Sequence, residues 1–206
     1  MKKTVFVSLM MADNMHKRHF PVDGNSFIKF PGETYYAINS VLAQTMTAGD
    51  EIKIVLLHTN AGDMAGEKNA SLFEEELNKL NKCGAKIEYV HIGTDYVTSK
   101  NQTKDLYKLL IKQLSQESEL SADITFGPKS LPLLIFAAMQ FGEKFFDCSI
   151  GNVIYEKIDF VNGKPVEGSQ LICDYTPLYM LNSFTNTIEC ASGEKAISTV
   201  EALLKD

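Results

Sequence analysis

The feature of this sequence that most constrains its fold is the regular alternation of short apolar runs with segments of helical periodicity. Residues 52–58 (IKIVLLH) are almost continuously apolar, which is typical of a parallel strand covered on both faces. Residues 33–47 and 101–114 instead repeat their apolar side chains at helical spacing. This alternation predicts an α/β fold, Rossmann-like, with a mostly parallel sheet and helices on both faces.

The same pattern places the individual elements within one domain, residues 1–206. We expect strands at 4–9, 52–58, 86–92, 122–126, 149–157 and 169–174, and helices at 33–47, 68–82, 101–114, 131–145 and 196–204. The Asn162-Gly163 pair lies between the last two strands and is a typical turn, so it predicts a C-terminal β-hairpin. Residues 10–32 form the longest loop, and such a loop is often functional or mobile.

Composition excludes several classes of function. The net charge of −6 argues against a protein that coats long nucleic acids. The apolar runs are too short to cross a bilayer, and the four cysteines lack metal-ligand spacing and read as small buried residues in a reducing compartment. The chain contains no G-x-G-x-x-G, P-loop or H-E-x-x-H pattern. We therefore expect a cytoplasmic protein with no membrane association, no metal and no cofactor.

The most informative segment is residues 123–132 (DITFGPKSLP), where a strand ends and a helix follows a glycine turn. Ligands of such folds bind beyond the carboxyl ends of the strands. We expect the helix to begin near Pro128 or Lys129, leaving the backbone amides of Lys129, Ser130 and Leu131 free to bind an anion. The alternative is an ordinary strand–helix turn with a solvated lysine.

Three segments in order carry a resemblance to a known family: DITFGPKSLPLLIFAAMQF, then GNVIYEKIDF, then ICDYTPLYML. Together they resemble the CARF domains, the Rossmann-fold sensors of cyclic oligoadenylates in type III CRISPR antiviral defence. In that family the first segment typically reads D-x-T-H-G-x-R-S-L-P. Here Phe126 stands in place of the usual histidine, Pro128 in place of an aromatic residue, and Lys129 in place of arginine. The size of the ring therefore stays open between tetra- and hexa-adenylate.

The resemblance implies a homodimer whose two-fold axis passes through the cyclic oligoadenylate, so that each subunit supplies half of the site. It also implies which residues line the ligand. The loop after strand one gives Ser8, Leu9 and Met10, followed by Met11 and Ala12. The segment DITFGPKSLP gives Thr125, Phe126, Gly127, Pro128, Lys129, Ser130 and Leu131. Thr59 and Asn60, at the end of strand two, are further candidates for an adenine edge, although such pairs are also common in turns.

Some CARF domains cleave their ligand without metal, by attack of a ribose 2′-OH on the adjacent phosphate to give a 2′,3′-cyclic phosphate. In such a reaction we expect Lys129 to stabilise the growing charge and Ser8 to position the ring. Three alternatives stay open. The chain is a sensor that signals to an effector domain or protein, a stand-alone ring nuclease, or an unrelated Rossmann-like nucleotide-binding module.

Other polar segments have simpler interpretations. Residues 16–19 (HKRH) are expected to be a solvated basic tip, with a lid over the ligand phosphates as the alternative. Asp174 and Thr176 are expected to cap the following turn. The run Glu74, Glu75 and Glu76 is expected to be only a charged helix face.

Overall fold

The computed structural model describes residues 1–22, 30–59, 65–94 and 99–203, which form an α/β fold as the sequence predicts. The strands are β1 Lys2–Ser8, β2 Glu51–His58, β3 Lys86–Gly93, β4 Glu119–Asp123, β5 Ser149–Lys157, β6 Phe160–Val161, β7 Lys164–Pro165 and β8 Leu171–Asp174. The helices are α1 Ala37–Thr45, α2 Gly66–Leu80, α3 Lys100–Ile111, α4 Leu131–Phe145, α5 Thr176–Thr187 and α6 Gly193–Leu203.

The main sheet has six strands in the order β3-β2-β1-β4-β5-β8. The first five strands in this order run parallel, and β8 is antiparallel to β5. From β1 the chain adds β2 and β3 on one side and then returns to add β4 and β5 on the other side. The boundary between β1 and β4 is therefore the topological switch point of the sheet. Loops that follow β1 and β4 therefore leave the sheet side by side, which is where open α/β sheets bind their ligands.

Apolar side chains on the two faces of the sheet are buried under different helices. On one face, Val5 and Val7 of β1 belong to a core cluster with Ile38 of α1 and Phe73 of α2. On the opposite face α4 approaches β4 so closely that a Cβ added at Gly142 would lie 2.7 Å from Leu120 Cδ1. The sheet is thus covered on both sides, as its nearly continuous apolar strands require.

The predicted C-terminal hairpin is confirmed, and a second, shorter hairpin lies within its connection. Strands β5 and β8 pair with each other, and the short strands β6 and β7 form a second hairpin between them. Its turn has Asn162 at φ 53° and Gly163 at φ 75°, the positive values that two-residue hairpin turns require and that Asn-Gly supplies.

Several elements differ from the expectation: α1 begins four residues later than predicted, and β4 and α5 differ more. Strand β4 covers Glu119–Asp123 rather than residues 122–126, so residues 124–126 belong to the turn that follows. Helix α5 was not predicted, and it begins at Thr176, one residue before Pro177. A proline near the start of a helix replaces an amide that has no helical partner, and this signal could have revealed α5.

The chain divides into two compact units, Met1–Thr176 and Pro177–Asp206. The first contains both sheets. The described part of the second is helical, and it exposes the apolar side chains of Leu178, Met180, Leu181, Ile197 and Leu203. None of the described helices combines the length and the apolar character that crossing a bilayer demands.

Candidate functional site

The turn between β4 and α4 begins directly after the strand-ending Asp123. Helix α4 starts at Leu131, with Ser130 as its N-cap and Pro132 within its first two positions. The expected start at Pro128 or Lys129 is therefore wrong by two to three residues. The Leu131 amide is also not available to an anion, because it donates to the Pro128 carbonyl at 2.9 Å.

Gly127 is the residue that allows this turn to pass close to β1. Its φ of +87° lies in the left-handed region that side chains rarely adopt. A Cβ at this position would lie 3.1 Å from Leu131 Cδ2 and 3.6 Å from Ser8 Cβ. The turn after β4 and the end of β1, which the resemblance assigns to one site, are thus in direct proximity.

Lys129 and Ser130 are the polar side chains at the outer part of this turn. Lys129 is exposed, and its ammonium has no ion pair or hydrogen bond within the described ranges. The hydroxyl of Ser130, which is half-buried, makes no capping hydrogen bond at the start of α4. The Lys129 ammonium and the Ser130 hydroxyl, neither of which is bonded to another described residue, are therefore presented beyond the carboxyl end of β4.

Thr125 lies at the base of the turn, and its hydroxyl is fully engaged. It donates to Asp123 Oδ1, which also accepts the Thr125 amide at 3.0 Å. The same hydroxyl accepts the Glu156 amide of β5 at 2.8 Å. Thr125 therefore links β4 to β5 instead of presenting its hydroxyl to a ligand.

The first predicted loop is anchored to the sheet and to α2. Ser8 and Leu9 are 0% and 1% exposed, and Ser8 Oγ donates to the Asp123 carbonyl at 3.1 Å. Met10 is half-buried, and its carbonyl accepts Asn69 Nδ2 at 2.7 Å. The Met11 carbonyl accepts the Ala65 amide. Within this loop Met10 and Met11, rather than Ser8 or Leu9, have side-chain surface that a ligand could contact.

Phe126, which replaces the usual histidine of the resembling family, contacts the core. Its ring makes a T-shaped contact with Tyr36, at 5.9 Å between centroids, and Tyr36 in turn contacts Phe73 in the same way. Edge-to-face pairs of this kind stabilise a buried aromatic cluster. This environment explains why an apolar residue at position 126 is compatible with the turn.

Two carboxyl groups lie buried beneath the turn. Asp123 is 0% exposed and Glu156 is 4% exposed. Burial raises the pKa of Asp123 to about 6, against the opposing hydrogen bonds from Thr125. Burial and the negative charge of Asp123 raise the pKa of Glu156 to about 7, which the Arg18 guanidinium partly counteracts. A carboxyl oxygen on each residue, Asp123 Oδ2 and Glu156 Oε2, has no hydrogen-bond partner among the described residues.

The basic segment 16–19 is only in part the solvated tip that we expected, since its residues except Arg18 are exposed. Arg18 Nη1 lies 3.6 Å from Glu156 Oε1, and Lys17 Nζ lies 3.6 Å from the buried carboxylate of Glu76. The Arg18 backbone also pairs with Thr34. The expectation is therefore wrong for Arg18, which is half-buried, whereas Lys17 is exposed although its ammonium approaches a buried carboxylate.

Glu76 likewise differs from the charged helix face that we expected. It is 5% exposed, and it accepts the Tyr35 amide and Asn39 Nδ2, each at about 3 Å. It joins α2 to the start of α1. The Asp174 interpretation is confirmed, because Asp174 Oδ1 accepts the Thr176 amide at 2.9 Å and caps the turn.

Two further site residues were predicted after β2, namely Thr59 and Asn60. Thr59 is buried, and its hydroxyl lies 3.3 Å from that of Thr94. Asn60 lies outside the described residues. All four cysteines are free, but of the four only Cys148 is buried as expected; Cys173 and Cys190 are half-buried and Cys83 is exposed. Among the residues that the structure describes, no three His, Cys, Asp or Glu side chains are grouped to hold a metal.

Sequence reasoning missed the buried group beneath the turn, namely Asp123, Glu156 and Arg18. Glu156 carried a signal, since it is a charged residue that directly follows the apolar run 153–155 (VIY) of β5. Arg18 carried none, because its partner is distant in sequence.

Comparison with known proteins adds no assignment: no protein-family model matches the chain, and no curated protein is significantly similar to it.

Proposed function

We propose that this protein is a sensor that binds a cyclic oligoadenylate, with four or six adenylates, at the turn after β4. The observation that carries the proposal is the Gly127 turn, which presents Lys129 at the switch point of the sheet with no partner among the residues that the structure describes. The resemblance of residues 123–132 to the signature of cyclic-oligoadenylate sensors agrees with this placement.

A phosphate is the part of the ligand that this turn suits best. Lys129 supplies a flexible point charge, and the Ser130 hydroxyl and the positive end of the α4 dipole lie beside it. A ring with two-fold symmetry presents equivalent phosphates on opposite sides. Two copies of the chain, related by the same axis, would each contact one half of the ring, which makes a homodimer the natural assembly.

Ser8 takes a different role in this proposal from the one that the resemblance implies. Its hydroxyl donates to the Asp123 carbonyl and is inaccessible, so it supports the turn rather than contacting the ring. Any cleavage of the ring would then depend on in-line placement of the ribose 2′-OH and on Lys129 for charge stabilisation.

Titration of the full chain with cyclic tetra-adenylate and cyclic hexa-adenylate, with linear tetra-adenylate as the control, tests the proposal. We expect saturable binding of one ring for every two chains, and the mass of a dimer by light scattering. Absence of binding to both rings, together with binding of a dinucleotide, would instead support an unrelated Rossmann-like module.

A cleavage assay on the same protein distinguishes a sensor from a ring nuclease. Labelled ring is incubated with excess protein in EDTA and the products are resolved by chromatography. Intact ring after prolonged incubation supports a sensor. A product that ends in a 2′,3′-cyclic phosphate, formed faster than without protein, would assign the enzyme activity.

A further inference from the structure

The group beneath the turn joins three neighbouring strands of the sheet at one place. Ser8 at the end of β1 donates to the Asp123 carbonyl, Asp123 at the end of β4 accepts both donors of Thr125, and Thr125 accepts the Glu156 amide of β5. The amide of Ile38, at the start of α1, also favours the ionised form of Asp123. The carboxyl ends of β1, β4 and β5 are thus held in fixed register directly below Gly127.

We infer that Asp123 and Thr125 are positioning residues, which set the direction in which the turn presents Lys129 and Ser130 to the ligand. The inference rests on the proposed function for its ligand, but its structural part does not. Neither residue needs to touch the ring: Asp123 is inaccessible, and the Thr125 hydroxyl is occupied as both donor and acceptor.

The chemistry of the pair explains why the turn depends on it. Residues 124–130 belong to no helix or strand, so few backbone hydrogen bonds fix their path. The Asp123 carboxyl accepts the Thr125 amide, which is the second amide of the turn, and the Thr125 hydroxyl fixes that residue against β5. Small displacements of a positioned charge weaken its contact with a phosphate strongly, so loss of this anchor is expected to reach Lys129.

Three substitutions test the inference, with cyclic tetra- and hexa-adenylate as the ligands. Thr125→Val removes the hydroxyl at nearly constant volume, Thr125→Ser restores it, and Asp123→Ala removes the acceptor. The matched control is Ser118→Ala at the other end of β4, which removes a buried hydroxyl that donates to the Ser115 carbonyl at 2.9 Å. Ring affinity, and amide hydrogen exchange over residues 124–134 without ligand, are measured for each folded variant.

We expect Thr125→Val to weaken ring affinity by about tenfold, and Thr125→Ser to recover most of that loss. Thr125→Val combined with Asp123→Ala should lose little more than either alone, because both break the same interaction. Exchange over residues 124–134 should be faster in Thr125→Val and unchanged in Ser118→Ala.

The experiment distinguishes failure of the positioning role from failure of the proposed function. Wild-type affinity and exchange in Thr125→Val would overturn it, and that variant with its serine counterpart decides the matter even where Asp123→Ala does not fold. If the wild-type protein binds neither ring, the proposed function fails, and hydrogen exchange alone then decides whether Asp123 and Thr125 position the turn.

Discussion

Arg18 and Glu156 come from segments far apart in the sequence, and their charged groups lie 3.6 Å apart beside the buried end of β5. Arg18 is 24% exposed, whereas Glu156 is almost inaccessible. The guanidinium therefore provides the compensating charge for a carboxylate that burial would otherwise keep protonated. This pair attaches the loop after β1 to β5. The Glu156 amide of the same strand donates to the Thr125 hydroxyl in the turn after β4.

Replacing Arg18 with methionine should destabilise the protein mainly at high pH. Without Arg18 the pKa of Glu156 rises further above its usual value, so the cost of ionising Glu156 in the folded state increases. At pH 5 this carboxyl is protonated with or without Arg18, and stability should change little. At pH 8 we expect a loss of about 1–2 kcal/mol in urea unfolding.

The control for that prediction is Glu156→Gln in the Arg18→Met background. Removing the carboxyl should abolish the difference between pH 5 and pH 8 that Arg18→Met introduces. An equal loss at both pH values in Arg18→Met would show that Arg18 acts through its packing and not through its charge.

Replacing Asp123 with asparagine should make stability less sensitive to pH. In the folded protein the pKa values of Asp123 and Glu156 are raised to about 6 and about 7. Folding therefore binds protons, and the stability that these groups contribute is present below about pH 4 and lost as the pH rises through the two folded pKa values, about 6 and about 7. Asparagine keeps the acceptor for Thr125 and removes one charge, so we expect the decline between pH 5 and pH 8 to shrink by about 2 kcal/mol.

Asp50→Asn is the matched control, because folding lowers the pKa of Asp50 whereas it raises the pKa of Asp123. Although burial acts to raise the pKa of Asp50, hydrogen bonds from Lys3 and the Thr47 amide hold it at about 2. Its contribution is thus present at neutral pH and lost on acidification, so Asp50→Asn should destabilise the protein at pH 7. If both variants shifted the pH profile in the same direction, the assignment of a raised pKa to Asp123 would be wrong.

Substitution of Gly127 by alanine should impair the turn more than an ordinary left-handed glycine would. The Cβ would add a 3.1 Å contact with Leu131 to the strain of a φ of +87°. We expect a loss of about 2–3 kcal/mol in thermal unfolding and a loss of ring affinity. Gly163→Ala has similar strain at φ +75° but meets nothing within 4 Å, so it should cost about 1 kcal/mol and leave affinity unchanged.

Substitution of Lys129 by alanine should weaken binding of the ring but leave the free energy of unfolding almost unchanged. The side chain is exposed and unpaired in the described structure, so unfolding should change by less than about 0.5 kcal/mol. Loss of one charge from each half of a symmetric site should weaken ring affinity by at least about tenfold. Lys112→Ala, which removes an exposed lysine after α3, is the control, and equal affinity in the two variants would place the site elsewhere.

The sequence was sufficient for the elements whose patterns are local. The apolar runs of β2 and β5, the periodicity of α4 and the Asn162-Gly163 turn each depend on neighbouring residues, and the structure has them where the pattern predicts. Strand β4 was placed three residues late because Ile124 and Phe126 are apolar, although Ile124 is buried and Phe126 half-buried as turn residues and not as strand residues.

Contacts between distant segments could not be predicted in the same way. The sequence identified the glycine turn and Lys129, but it gave no sign that Arg18 and Lys17 would face Glu156 and Glu76. These ion pairs form because the topology of the sheet brings the loop after β1 beside β5. Burial of Ser8 has the same origin, since β1 is enclosed between β2 and β4.

The hairpin formed by β6 and β7 has a practical use. Residues 159–168 are all exposed, and they follow Glu156 within a few positions on the same segment. Solvent-exposed loop tips tolerate insertions and attached groups better than any other part of a fold. A fluorophore or a short tag introduced at Asn162 should therefore leave the protein folded, and it would allow movement of this segment to be observed while a nucleotide is added.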